Sequence, residues 1–520
     1  MHQQLWGWLD WVVVALNLAV SAVVGAYFTR RNKSTDAYFL AGRKMSGAVV
    51  GLSLMATIIS SMTFLAMPGF TFKQDWRYVY AHLPYLLVTV VALYLFMPFF
   101  RRTRIQSAYE YLERRFGVWA RLYAATGFVL FHAFKMGAVL YAVSLPLASL
   151  CGVSIAWIIL VLGILVTAYT VAGGLEAVIW TDVIQGVALV LGAVICLPLM
   201  VHLIPGGFSQ IVEEAYRDAK FAPGSTAFNL SEKTLWVISL VYLFQFLQMM
   251  ATDQMIVQRY CAMKSDEEAK KGLVMGSVLS VVTWVYFSFL GTTLYVFYKY
   301  NAAPELSRLL PEEVFPFFIS TRVPTGLAGF VISGLIAAAL STLSAEISAL
   351  ATTASTDFYR RLIRRHETER HYVLVGRWCS TAFGVVMLSV ALIIYYSSSS
   401  TLMDLQTLFF SILGGGLLGL FLLGFVTERV DNRSALIATI CTFTAICVWL
   451  ALDSPLGRSS LPGASRWLPD KFWLGVLANC FLFTVGYLLS LLKATRQKDL
   501  AGLTIWSKTP YADRETAGAR

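Results

Sequence analysis

Apolar runs of about twenty residues, separated by short polar stretches, repeat along the whole chain. A helix needs about 20 predominantly apolar residues to cross roughly 30 Å of hydrocarbon. Thirteen segments meet that length, near residues 8–28, 46–70, 78–100, 118–149, 153–172, 180–204, 234–256, 273–298, 325–356, 372–396, 403–427, 433–452 and 472–492. The pattern predicts an all-α polytopic membrane protein of about 13 transmembrane helices, with a single transmembrane domain over 1–492 and a short polar tail over 493–520. The first run has no basic start and no small-residue cleavage site, so it reads as a span and not as a signal peptide. The longest connections, about 205–233 and 299–324, mix charges with Pro and Gly and are too short for a separate soluble domain. The tail is expected to be partly mobile.

Composition strengthens this reading. Hydrophobic residues make up 57% of the 520, and charged residues only 14%, against roughly 25% charged in soluble domains. The apolar surplus has to face a lipid bilayer. A net charge of +11 could suggest nucleic acid, but its distribution argues against it. With the N-terminus outside, 29 of the 41 Lys and Arg fall in inner segments, 11 fall outside, and Lys135 lies within a span. This is the positive-inside bias of membrane topology, and it places the tail in the cytoplasm. Seven cysteines stand singly, without metal spacing, and read as small buried apolar residues. No Gly-rich loop ends in Gly-Lys-Ser/Thr, so transport would be driven by an ion gradient or run downhill. His366-Glu367-Thr368-Glu369-Arg370 begins like a zinc-protease motif, but Arg370 stands where the second histidine is required; the chain reads as no enzyme.

Candidate chemistry lies inside the spans. The second run contains Ala56-Thr57-Ile58-Ile59-Ser60-Ser61-Met62-Thr63-Phe64 followed by Pro68-Gly69. Small and hydroxyl-bearing residues ahead of a Pro-Gly pair could let the helix unwind, which at membrane depth is tolerated where backbone lines a cavity. They could equally pack against a neighbour. In the ninth run, Ala338, Ser341, Thr342 and Ala345 share one helical stripe. Hydroxyls and freed carbonyls are the oxygen ligands a hard cation wants, and a Ser/Thr stripe also serves helix packing. Ionisable groups inside spans are costly and tend to be functional or paired. Asp182 could be an ion ligand or an interfacial cap. Lys135, three residues after His132, could hold an anionic solute group or pair internally with Glu346 or another carboxylate.

Three stretches carry a resemblance. Asp36-Ala37-Tyr38-Phe39-Leu40-Ala41-Gly42-Arg43, the run from Tyr169 to Gln185 containing Gly173-Gly174 and Trp180-Thr181-Asp182, and Asp253-Gln254 with Val257-Gln258-Arg259-Tyr260 are similar, in order, to motifs of the sodium:solute symporter family. Ser60-Ser61-Met62-Thr63-Phe64 and Ser107-Ala108-Tyr109-Glu110-Tyr111-Leu112-Glu113 resemble its bacterial sialic-acid transporter branch. The resemblance implies the leucine-transporter fold, with spans two to six and seven to eleven as inverted five-helix repeats. It implies a Na+ site on the carbonyls of Ala56, Ile59 and Ala338 and the hydroxyls of Ser341 and Thr342. Asp182, Ser341 and Ser344 match a second Na+ site found in some members, but Ala345 stands where that branch has a serine. The solute pocket would involve Ser60, Ser61, Thr63, His82, Lys135 and Gln245, with Gln248 as a further amide and Phe244 and Phe246 as gates or plain core. The branch has Arg where Lys135 stands, Gln at His82 and Thr at Ile58. Lys lacks the bidentate fork of Arg.

The function expected is sodium-coupled import of a small polar solute, a sugar or sugar acid such as sialic acid, by alternating access. A proton-coupled carrier on the same fold, or a transporter-like solute sensor, are the alternatives. A monomer in a bacterial inner membrane is expected.

Overall fold

In the computed structural model the described residues are 7–28, 34–103, 105–230, 232–397, 414–460, 468–469, 471–492, 500 and 502–507. The chain there is helical. We number the larger helices α1 (Trp8–Phe28), α2 (Gly47–Ile58), α3 (Ser61–Lys73), α4 (Arg77–Arg102), α5 (Val118–Cys151), α6 (Ile155–Leu203), α7 (Leu235–Thr252) and α8 (Asp266–Tyr300). They continue with α9 (Leu327–Ile363), α10 (Glu369–Ser397), α11 (Leu417–Val426), α12 (Asn432–Asp453) and α13 (Leu474–Leu491). Among the described residues ten helices are long and apolar enough to cross a membrane, or eleven if the bent pair α2–α3 counts as one span. The expected run 403–427 is seen only as the ten-residue α11, because 403–413 lie outside the described residues.

Two expected spans, 153–172 and 180–204, appear as the 49 residues of α6. At 1.5 Å per residue a straight helix of that length would measure about 73 Å, more than twice the hydrocarbon thickness. Gly174 interrupts it, at φ 59° and ψ −160°, a conformation essentially reserved for glycine. A Cβ there would also lie 2.7 Å from the carbonyl oxygen of Tyr38. The second half therefore begins several residues earlier than expected, and Asp182 sits about two turns inside it, not at its interfacial cap.

The break in the second run falls within the small, hydroxyl-bearing stretch Ala56–Phe64, ahead of the Pro-Gly pair. Pro68 and Gly69 lie within α3, where the missing side chain of Gly69 admits the backbone of Pro311 (its Cβ would meet that carbonyl oxygen at 1.6 Å). The interruption comes earlier, at Ile59 (φ −80°, ψ 92°) and Ser60 (φ −83°, ψ 169°), both extended. The two halves bend by 57°.

α9 forms the centre. From Leu327 to Thr353 every residue except Leu327 and Phe330 is buried, and α9 packs on α6, α5, α1 and α2. Small residues make these approaches close. Gly192 of α6 faces the Phe330 carbonyl, and Gly334 of α9 faces that of Ala188. At the end of α3, Lys220 folds inward and donates to the carbonyls of Thr71 (3.2 Å), Phe72 (2.7 Å) and Gln74 (2.7 Å). It thereby satisfies helix-terminal acceptors that have no intrahelical partner. Part of the tail is also docked. Leu503 and Thr504 are buried, Tyr111 donates to the Leu503 carbonyl (3.1 Å), and the Trp506 indole donates to that of Val426 (2.8 Å). The remainder of 493–520 lies largely outside the described residues.

Candidate ion and solute site

The break in α2–α3 leaves polar backbone facing α9. Ile59 N–H still donates to the Met55 carbonyl at 2.9 Å, but the extended backbone beyond it leaves the carbonyls of Ala56 to Ile59 without an α-helical donor four residues on. Thr342 Oγ1 lies 3.4 Å from the Thr57 carbonyl and 3.1 Å from the Ala338 carbonyl. Ser344 donates to the Ser341 carbonyl at 3.1 Å. Ala56, Ile59, Ala338, Ser341, Thr342 and Ser344 are all buried. The structure thus places the end of α2 against the hydroxyl stripe of α9 and fills the space between them with neutral oxygen donors.

Asp182 borders this set. Its Oδ1 accepts from Ser341 at 2.8 Å. Its Oδ2 accepts from Ser53 at 2.6 Å, Thr57 at 3.3 Å and the Arg259 Nη2 at 2.8 Å. Arg259, on the short helix Gln254–Ala262, also donates to Ser53, Thr57 and the Met255 carbonyl. Both members of the Asp182–Arg259 pair are fully buried. By charge counting Arg259 falls among the inner-loop cations; here it is the buried counter-ion of Asp182, a role that only its place in the Val257–Tyr260 motif hinted at.

A second group of charges gathers where α5, α7 and α9 meet. Lys135 Nζ is 2.9 Å from Glu346 Oε1, so the internal pairing is the one the structure adopts. His132 stands 3.8 Å from the same Glu346 oxygen and 3.7 Å from Asp253 Oδ2.

The other solute candidates separate. Ser60 and Thr63 are half-buried beside the break. Ser61 is wholly buried, and its hydroxyl has no hydrogen-bond partner among the described residues. His82 donates from Nδ1 to the Tyr78 carbonyl and packs among the rings of Tyr242, Phe246 and Trp284, with centroids at 4.6, 5.7 and 4.4 Å. Phe246 is part of that aromatic packing. Gln245 is exposed, and Gln248 accepts from Asn479 at 3.4 Å.

The motif residues tie these parts together. Tyr38 donates to the Val171 carbonyl at 3.1 Å beside Gly174. Gln258 donates to the Phe39 carbonyl and to Thr352, at 2.8 and 2.6 Å. Gln254 accepts from Ala108 N–H at 2.8 Å. Ser107 donates to Asp357 at 2.6 Å, and Glu113 pairs with Arg121 and Arg361.

Comparison with known proteins agrees with this architecture. The profile of the Sodium:solute symporter family matches residues 38–442. The Sodium/sialic acid symporter NanT of Aliivibrio fischeri is 30% identical over 494 residues, covering 94% of each chain. The Sodium/sialic acid symporter SiaT of Proteus mirabilis is 31% identical over 441 residues, 85% of this chain and 89% of that protein. A solved Na+-coupled sialic acid symporter, in a substrate-bound outward-open state, superposes with a TM-score of 0.85 at 30% identity, covering 95% of this chain and all of that one. Mhp1, a nucleobase-cation-symport-1 family transporter, shares the fold alone, with a TM-score of 0.54 at 14% identity. An all-helical chain with a broken helix set against a buried hydroxyl stripe, matched along most of its length by this profile, belongs to the sodium:solute symporter family.

Proposed function

We propose that this protein imports a small polar solute, a sugar acid of the sialic-acid type or a related sugar, together with Na+. The observation that carries the reading is the break at Ile59–Ser60 facing Ser341 and Thr342. It supports a Na+ site made of the carbonyls of Ala56, Ile59 and Ala338 and those two hydroxyls, because a hard cation is satisfied by neutral oxygens that a continuous helix would have consumed. The sialic acid named for the relatives supports the substrate class. Ser60, Ser61, Thr63 and Lys135 are the polar groups we assign to the solute, with Gln245 and His82 at its margin.

One Na+ per solute fits the residues better than two. At the second site Ala345 offers no hydroxyl, and Asp182 already faces the guanidinium of Arg259 at 2.8 Å, whose charge opposes a further cation. One Na+ moving inward through about 100 mV yields roughly 2.3 kcal/mol, enough for roughly 50-fold accumulation. Na+ between α2 and α9 would hold an outward-open state, solute would bind beside it, and rocking of the bundle would release both. We read the architecture as thirteen spans, with the second to sixth and seventh to eleventh as inverted repeats, in one domain over 1–492. The tail 493–520 is cytoplasmic, and the unit is a monomer in a bacterial inner membrane.

Thermal-shift binding to the purified protein tests this, with sialic acids, neutral sugars, sugar acids and amino acids in Na+ and then in choline. The expected result is a solute-dependent rise in melting temperature that requires Na+ and disappears in the Ser341→Ala, Thr342→Ala variant. Equal shifts in Na+ and choline would sink sodium coupling.

A further inference from the structure

The charges around Lys135 are not used by the Na+ site. Lys135 is 29% exposed along its side chain, whereas Glu346 is wholly shielded, and the ammonium lies 2.9 Å from that buried carboxylate. Neither Glu346 oxygen has a hydrogen bond of good geometry among the described residues. The carboxylate therefore depends on the charge of Lys135, with His132 Nδ1, itself without a hydrogen-bond partner there, 3.8 Å from it. A lysine ammonium is a compact charge with three donors on a flexible stem, able to turn from one anion to another. Taking it away from Glu346 would strand a dehydrated charge, the costly state of a broken buried pair.

We propose that Glu346 is a specificity-determining residue: it competes with the carboxylate of an acidic solute for Lys135, and so sets how strongly the transporter favours acidic over uncharged solutes. This rests on the reading that Lys135 lines the solute route. An acid must displace Glu346, and His132, 3.8 Å from the same carboxylate oxygen, is the side chain that stands beside it. An uncharged analogue binds without disturbing the pair. Were the pair only a brace between α5 and α9, its loss would weaken every solute alike.

The test compares a sialic acid with its methyl ester, which hides the carboxylate, as Na+-dependent dissociation constants for the purified full-length protein. Glu346→Gln is expected to raise the affinity for the acid relative to the ester by about tenfold, the scale of one charged hydrogen bond. Glu346→Asp keeps the charge but shortens its reach, and it shifts the ratio in the same direction if the glutamine variant does not fold. Lys135→Gln lowers the affinity for the acid and spares the ester. If Lys135→Gln acts in this way while both Glu346 variants leave the ratio unchanged, the competition is overturned and the solute-facing role of Lys135 stands. If Lys135→Gln leaves acid and ester alike, the placement of the solute fails, and this inference with it.

Discussion

At the residue scale, the fully buried pair of Asp182 and Arg259 carries a large energetic consequence. Removing one partner of a buried ion pair leaves an uncompensated charge and costs about 3–5 kcal/mol. Asp182→Ala or Arg259→Ala is therefore expected to lower the melting temperature of the detergent-purified protein sharply. Asp182→Leu combined with Arg259→Met should recover much of the loss, and additive losses in the double variant would show that the two do not act as a pair. Asp182 was legible as an intramembrane carboxylate. Its partner was not, since Arg259 lies 77 residues away in a stretch whose polarity reads as loop. For Lys135 the residue pattern held both outcomes open, a solute anion or an internal carboxylate such as Glu346, because a helical stripe fixes which face a residue shares and not which other helix meets it.

At the scale of elements, the order and helical nature of the segments could be read from hydrophobic length, and their interruptions only as stretches, not as single residues. Pro68-Gly69 looks like the natural breaker, yet it sits inside α3 because neighbouring backbone needs the space that Gly69 leaves. The chain opens at Ile59–Ser60, inside the small and hydroxyl-bearing stretch that the sequence singles out, and packing against α9 fixes the position within it. Gly174 is the opposite case, a single glycine that sets where one long helix turns into two. Gly174→Ala is expected to cost about 1–3 kcal/mol of stability for its positive φ alone, with a further penalty from the Tyr38 carbonyl. Thermal unfolding would measure it, and a neutral effect would mean that the turn can relax without the glycine.

At the scale of the whole molecule, long-range polar contacts knit loops to the bundle. Glu214, in the helix Gly207–Arg217, is pulled down to about 2 from the usual carboxylate range by the hydrogen bond from Lys299 and then by that from Tyr300. A carboxyl with a depressed folded-state pKa adds stability that is fully present above its unfolded value. That stability is lost as pH falls from about 4.5 towards 2. The melting temperature should therefore drop over that window, and Lys299→Met should flatten the drop; an unchanged slope would show that the contact contributes nothing. Lys220 belongs to the same connection, and its grip on the end of α3 has a practical meaning. If α3 tilts during transport, the segment carrying Lys220 has to travel with it or let go of three carbonyls. A fluorophore attached nearby, for instance at the exposed Phe228, would then report the transport cycle from outside the bilayer. An antibody fragment clamped on that loop would stall the cycle without ever reaching the solute.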